Sequence, residues 1–170
     1  MKKITCLLVG CLAAAAVVAA PWSGPLPSFE ATSLTGKVVK ASELIGQPTV
    51  LIVTPSKAAA ADTRQWAEAL RKNLDEKAVR IRDVLAIDLP FFMSEADAIG
   101  RAREKIPARY HDQTWLYAKS KLEQSLGIPD DSDRAFVFVL DSSGKVLTQV
   151  DGAPTAERVE AVRSAVRAMK

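Results

Sequence analysis

Cysteine is nearly absent from this sequence. The only two cysteines among the 170 residues are Cys6 and Cys11, and both belong to the N-terminal segment that ends at Ala20. This segment begins with Met-Lys-Lys and then continues without a charged residue, which is the pattern of a secretory signal peptide. Its removal would leave a chain without any thiol. Such a chain can form no disulfide and can carry out no thiol chemistry with its own residues.

The end of the signal peptide is predicted from small residues and a proline. Signal peptidase needs small residues at the first and third positions before the cut, which Val17 and Ala19 offer, or Val18 and Ala20. Because Pro21 would hinder a cut directly before it, we expect cleavage after Ala19. A transmembrane helix is the rival interpretation, but a span needs about 20 mostly apolar residues and this run is shorter.

Cys11 leaves one alternative open. The sequence Leu-Val-Gly-Cys that ends at Cys11 fits the lipobox of bacterial lipoproteins, in which the cysteine is acylated and becomes the N-terminus. The apolar stretch before Cys11 is short for this purpose, and residues 12–20 would form an unusually apolar tether. We therefore expect a periplasmic or secreted protein, with a lipoprotein anchored through Cys11 as the alternative.

The chain also lacks an excess of charge of one sign. Its formal net charge is +3, and loss of the signal peptide leaves +1. This composition favours neither nucleic acid nor an acidic membrane as a partner, and we expect no integral membrane segment in the mature form. Residues 28–170 suffice for a single domain, preceded by a proline-rich leader at 20–27. With one histidine and no thiol, no metal site and no cofactor are expected.

Apolar runs, turn residues and helix caps predict the order of the elements. Strands are predicted around the turn in Phe29–Lys40 and at Thr49–Val53, Val79–Ile87, Trp115–Tyr117, Ala135–Leu140 and Lys145–Val150. Helices are predicted at Ala58–Leu74, Glu95–Lys105, Lys119–Leu126 and from Thr155 to Met169. This order predicts an α/β fold of three layers, in which a mixed central sheet has helices on both faces and 95–105 forms a helical insertion.

Two stretches resemble a known family. Pro27–Val53 resembles, in order and spacing, the N-terminal half of bacterial redoxins, the thioredoxin-fold thiol reductases and peroxiredoxin relatives. Phe138–Val146 is similar to the C-terminal hairpin of the same family. Residues 56–70, 131–141 and 151–153 also resemble the periplasmic YtfJ-type proteins. The resemblance implies a thioredoxin-like fold.

The chain departs from that family at the catalytic positions. The reductases carry Cys-x-x-Cys after the central strand, where a helix N-terminus lowers the thiol pKa, but here that loop contains no cysteine. If the peroxidase pattern Pro-x-x-x-Thr-x-x-Cys starts at Pro55, Ala59 stands at its threonine position and Asp62 at its cysteine position. The cis-proline of the family would fall near Ala135 and is also missing. These departures indicate that the fold is retained without thiol redox chemistry.

The same loop is the candidate binding site, because the family resemblance places substrate peptides over this loop and the former cis-proline loop. A helix N-terminus there would favour an anion or an acidic side chain. The competing interpretation makes Ser56 a helix N-cap and Lys57 a solvated charge. The candidate residues are Pro55, Ser56, Lys57, Asp133, Arg134 and Ala135.

The sequence therefore predicts a protein- or peptide-binding module that has no catalytic residues and is not expected to be an enzyme. The alternative is a redoxin-type antioxidant or oxidoreductase that works with the thiols of a partner. A hydrolase built on Ser56 and His111 lacks a Gly-x-Ser-x-Gly motif. Trp66 is predicted in the core, whereas the run Phe91-Phe92-Met93 would mark a partner surface if it were exposed.

Overall fold

The computed structural model describes residues 22, 24–119, 122–129 and 132–169. The predicted signal peptide and the candidate lipid anchor Cys11 lie outside these residues. The strands are β1 (Glu30–Ser33), β2 (Val38–Lys40), β3 (Thr49–Thr54), β4 (Arg80–Ala86), β5 (Thr114–Tyr117), β6 (Phe136–Leu140) and β7 (Val146–Asp151). The helices are α1 (Ala60–Asn73), α2 (Glu95–Lys105), α3 (Leu122–Ser125) and α4 (Ala156–Arg167). Every predicted element is present, with ends that differ by a few residues.

The strands form one mixed sheet in the order β2-β1-β5-β4-β3-β6-β7. Strands β3, β4 and β5 are parallel neighbours, and the remaining pairs are antiparallel. The predicted central strand β3 lies between β4 and β6, and all six of its residues are buried. This burial on both faces explains its continuous apolar sequence. The predicted mixed sheet and C-terminal hairpin are confirmed.

Helices cover both faces of the sheet, as predicted. On one face, Val50 and Ile52 of β3 pack with Trp66 of α1 and Val162 of α4 in a buried cluster. On the other face, a second cluster joins β3 and β6 to Leu122 of α3. The alternation of side chains along β3 therefore divides the core into two layers.

Helix α2, predicted as a helical insertion, connects the parallel neighbours β4 and β5. Its N-terminus is fixed by a capping box, in which the backbone N–H of Asp97 donates to Ser94 Oγ at 3.1 Å and the N–H of Ser94 donates to Asp97 Oδ2 at 3.2 Å. Ile99 then packs on Leu34 and Leu116. The helix thus serves as the crossover of a second strand-helix-strand unit.

Helices α1 and α2 lie on the same face of the sheet. Ile81, Asp83 and Leu85 alternate along β4 and point to one face. Ile81 packs in the cluster of α1, and Leu85 packs in the cluster of α2. Asp83 lies between these two contacts, where it pairs with the side chain of Arg71 of α1. This position becomes the floor of a cleft.

The described part of the proline-rich leader lies along the β6–β7 hairpin. The backbone N–H of Leu26 donates to the carbonyl oxygen of Gly144 at 3.2 Å, and that of Trp22 donates to the side-chain oxygen of Gln149 at 2.7 Å. The sequence pattern gave no indication of these contacts.

Candidate functional site

The two loops that carry the predicted site meet in the structure. The hydroxyl of Ser56, in the loop after β3, donates to the carbonyl oxygen of Ser132, in the loop before β6, at 2.7 Å. The same oxygen atom of Ser56 accepts the backbone N–H of Ala59 at 3.3 Å. Ser56 therefore holds the loop after β3 against the loop before β6.

Ser56 is not the N-cap of α1, and that interpretation is wrong. Ala59 occupies the N-cap position and offers no side-chain hydrogen bond. The turn at residues 56–59 places Ser56 three residues before that position, where its side chain serves the loop contact instead. Lys57 is exposed.

The other predicted site residues have different surroundings. Pro55 and Ala135 are buried and form part of the loop framework. The carbonyl oxygen of Ala135 accepts the N–H of Gly152 at 2.8 Å. Arg134 is exposed and pairs with Asp151 at 3.2 Å and with Asp133 at 3.9 Å. Exposed pairs of this kind contribute little stability, so both partners remain available to solvent and ligands.

A cleft of about 940 Å³ opens beside Ser56 and Lys57 and runs between α1 and α2. Residues of β4 and β5 form its floor, and residues of the short 3₁₀ helix Ala108–Tyr110 line it as well. The predicted residues Ser56 and Lys57 line it, whereas Asp133 and Arg134 do not. The site predicted from the sequence is thus one end of a larger feature.

A buried ion pair lies on the floor of the cleft. Nη2 of Arg71 donates to Oδ2 of Asp83 at 2.7 Å, and the two side chains are only 10% and 8% exposed. The Arg71 guanidinium lies over the ring of Tyr110 at 4.1 Å, and that of Arg109 lies near the same ring at 4.9 Å. Thr114 Oγ1 lies 3.5 Å from Asp83 Oδ2.

The hydrogen bonding of this pair is incomplete. Oδ1 of Asp83 and Nε of Arg71 are buried and have no hydrogen-bond partner among the described residues. Burial raises the pKa of the Asp83 carboxyl above its ordinary value, while Arg71 opposes this effect. A buried acid with a raised pKa in an open cleft is a feature of functional sites.

Comparison with known proteins gives the fold. No family model matches the sequence, and neither does any curated protein. A structure from Chlorobium tepidum assigned as the thiol:disulfide interchange protein DsbE matches with a TM-score of 0.64 and 20% identity, over 88% of this chain and 99% of that one. The thioredoxin domain of a thiol-disulfide oxidoreductase from Bacteroides vulgatus matches with a TM-score of 0.61 and 16% identity, over 86% of this chain and 99% of that one. The exposed lipoprotein thioredoxin Etrx1 of Streptococcus pneumoniae matches with a TM-score of 0.59 and 13% identity, over 84% of this chain and 99% of that one.

The fold is thioredoxin-like. This confirms the predicted fold class, whereas the nearer resemblance to the YtfJ-type proteins stays a prediction. In this thioredoxin-like fold the loop between β3 and α1 contains no cysteine, and the sequence contains none after Cys11. Among the described residues every peptide bond is trans. None of their helices has the length and apolar character needed to cross a membrane.

His111 contacts the backbone. Its Nε2 lies 2.8 Å from the carbonyl oxygen of Ile106, next to the cleft. Because the hydroxyl of Ser56 donates to Ser132, neither Ser56 nor His111 is hydrogen-bonded to the other. The described residues contain no group of three or more His, Cys, Asp or Glu side chains placed to hold a metal ion.

Phe91 and Phe92 are exposed, at 101% and 72%, and their rings contact each other edge to face with centroids 5.4 Å apart. The next residue, Met93, is partly buried and lines the cleft. An apolar surface therefore continues from the cleft onto the outside of the molecule.

Sequence reasoning missed the cleft. Its position depends on how far apart α1 and α2 lie on the sheet, which no local pattern encodes. A weak signal was present in the basic residues that recur on the two helices, namely Arg64, Arg71, Lys72, Arg101 and Lys105.

Proposed function

We propose that this chain is a binding module for a protein or peptide and has no thiol redox activity of its own. The proposal rests mainly on the loop after β3. In place of a cysteine the loop has Ser56, whose hydroxyl fastens two loops together at the head of an open cleft. A nucleophilic serine would need a neighbouring base, and Ser56 donates its proton to a backbone carbonyl instead.

The surroundings of the cleft favour a macromolecular ligand. Phe91 and Phe92 extend the apolar surface beyond the cleft, and such exposed apolar pairs are costly to keep in water unless a partner covers them. The exposed pair of Asp133 and Arg134 lies on the other loop at the Ser56 end. A polypeptide is a ligand that can contact both regions at once.

The function can be tested with peptides selected from a random display library on the immobilised mature protein. We expect enriched peptides whose binding shifts the amide NMR signals of Ser56, Lys57 and the loop 132–135. Lys57→Gln should weaken binding, whereas Lys145→Gln, an exposed lysine on the β6–β7 turn, should not. No enrichment over an empty matrix, or signal shifts confined to other surfaces, would contradict the proposal.

The same protein should fail in thiol assays. Because residues 20–170 contain no cysteine, insulin reduction and peroxide consumption should stay at the level of heat-inactivated protein. Activity that appears only with a reduced thiol partner would instead support the redoxin-type alternative.

We further propose that the protein works in the periplasm or outside the cell. The uncharged N-terminal segment after Met-Lys-Lys supports export. The intact mass of the exported protein should correspond to a chain that starts at Ala20. A mass that fits a lipid-modified chain starting at Cys11 would support the lipoprotein alternative, and a full-length mass would rule out both.

A further inference from the structure

The cleft between α1 and α2 is lined by apolar and basic side chains. Apolar side chains from β4, α2 and the adjoining loops include Leu85, Ile87, Met93, Ala98, Ala102 and Ile106. The basic side chains on its walls are Lys57, Arg64, Arg71, Lys72, Arg101, Lys105 and Arg109. Only two acidic residues, Glu68 and Asp83, line the same space.

Most of these cations are free. Within the described part of the chain, Arg71 is the only cation of the cleft that forms an ion pair, and its partner is Asp83. The remaining wall cations are exposed. A cleft lined by unpaired charges of one sign selects a ligand of the opposite sign.

The spread of the cations favours an elongated ligand over a single small anion. Arg64 and Arg71 are seven residues apart on α1, which corresponds to about 10 Å along the helix axis. Arg101 and Lys105 stand on the opposite wall. One phosphate group cannot contact all of these positions, whereas an extended peptide places alternate side chains about 7 Å apart.

The mixture of apolar and basic side chains in the cleft favours a polypeptide over an inorganic anion. The apolar residues Leu85, Met93 and Ile106 line the same space as the exposed cations. A peptide of acidic and apolar residues supplies carboxylates for the cations and apolar side chains for the rest of the lining, whereas a phosphate supplies only negative charge.

We propose that the cleft binds an extended acidic peptide segment of a partner protein, in which acidic residues alternate with apolar ones. This rests on the proposed binding function and names the ligand. The apolar side chains of the peptide face Leu85 on β4 and Ile106 at the end of α2, and its carboxylates face the cations on both walls.

The test uses three octapeptides that carry a neutral fluorophore: alternating Glu and Leu, alternating Gln and Leu, and alternating Lys and Leu. Fluorescence anisotropy with the mature protein should show that the Glu-Leu peptide binds at least about tenfold more tightly than the Gln-Leu peptide, as expected if three or more exposed ion pairs form. The Lys-Leu peptide should not bind. Equal affinity for the Glu-Leu and Gln-Leu peptides would overturn the proposal.

Matched variants locate the binding. The triple variant Arg64→Gln/Arg101→Gln/Lys105→Gln removes exposed wall cations and should weaken Glu-Leu binding about tenfold. The control, which removes three exposed lysines outside the cleft, should bind like the wild type. An equal loss in the control would overturn the proposal. The control variant is Lys77→Gln/Lys119→Gln/Lys145→Gln.

Competition identifies the class of ligand. Inorganic phosphate at constant ionic strength should not displace the peptide, and complete displacement would assign the cleft to a small anion and overturn the proposal. Selected neutral or basic peptides that bind near Ser56, together with no binding of the Glu-Leu peptide, would refute this inference and leave the proposed function intact. If no peptide of any composition binds, both fail.

Discussion

Arg71→Met should lower the free energy of unfolding by about 3–5 kcal/mol at pH 8, because it leaves the buried carboxylate of Asp83 without its partner. Burial already raises the pKa of Asp83, and loss of Arg71 raises it further. A carboxyl group whose pKa is higher in the folded than in the unfolded state destabilises the fold once pH exceeds the unfolded pKa. The cost should therefore shrink as pH falls through the raised pKa. Urea denaturation at pH 8 and pH 5 measures this difference.

Two further variants show that the effect belongs to the pair. Arg64→Met removes an exposed cation from the same helix and should change stability by no more than about 0.5 kcal/mol. Arg71→Met/Asp83→Leu removes both buried charges and should recover most of the loss. If Arg71→Met costs the same at both pH values, Asp83 is not the origin of the effect.

Trp66→Ala should be the other strongly destabilising substitution. The indole is fully buried against Ile52 and Val162, and removing it costs about 3–5 kcal/mol. It also donates its Nε1–H to the carbonyl oxygen of Gly152 at 2.6 Å, and an unpaired buried acceptor costs about 1–3 kcal/mol more. Because a domain has only about 5–15 kcal/mol in total, much of this variant should be unfolded at 37 °C. Far-UV circular dichroism with urea titration measures this loss.

Trp66→Phe separates the two contributions. Phenylalanine keeps an aromatic ring in the core but cannot donate to the carbonyl oxygen of Gly152. We therefore expect the free energy of unfolding to fall by about 1–3 kcal/mol, the cost of the unpaired acceptor alone. Gly152 also donates to Ala135, so the amide signal of Gly152 should shift in this variant. A Trp66→Phe protein as unstable as Trp66→Ala would show that the hydrogen bond, rather than the packing, dominates.

Much of the fold could be predicted because the decisive signals are local. The run Ala135–Leu140 has no polar residue and is bounded by turn residues, so a buried strand was the only economical interpretation. Ser94 and Thr155 precede helices with caps of the expected type, and in the structure both accept backbone N–H groups. Patterns of this kind need no knowledge of distant residues.

The site could be predicted only in part. The position of Ser56 followed from its place after the central strand, but the bond to Ser132 joins residues 76 apart in sequence. Asp83 is a charged residue in an irregularly alternating strand, and nothing nearby predicts that Arg71 would accompany it into the interior. Burial of such a pair depends on the gap between two helices, which is a property of the assembled sheet.

The free cations of the cleft also give the molecule an uneven charge. Loss of the predicted signal peptide would leave a net charge of only +1, yet the cleft carries a concentrated positive field. Such a field extends outward by about one Debye length, roughly 8 Å at physiological salt. It should accelerate the encounter with negatively charged molecules more than it prolongs their stay. Added salt should therefore slow association while leaving dissociation almost unchanged, so this nearly neutral protein should have the encounter kinetics of a basic one.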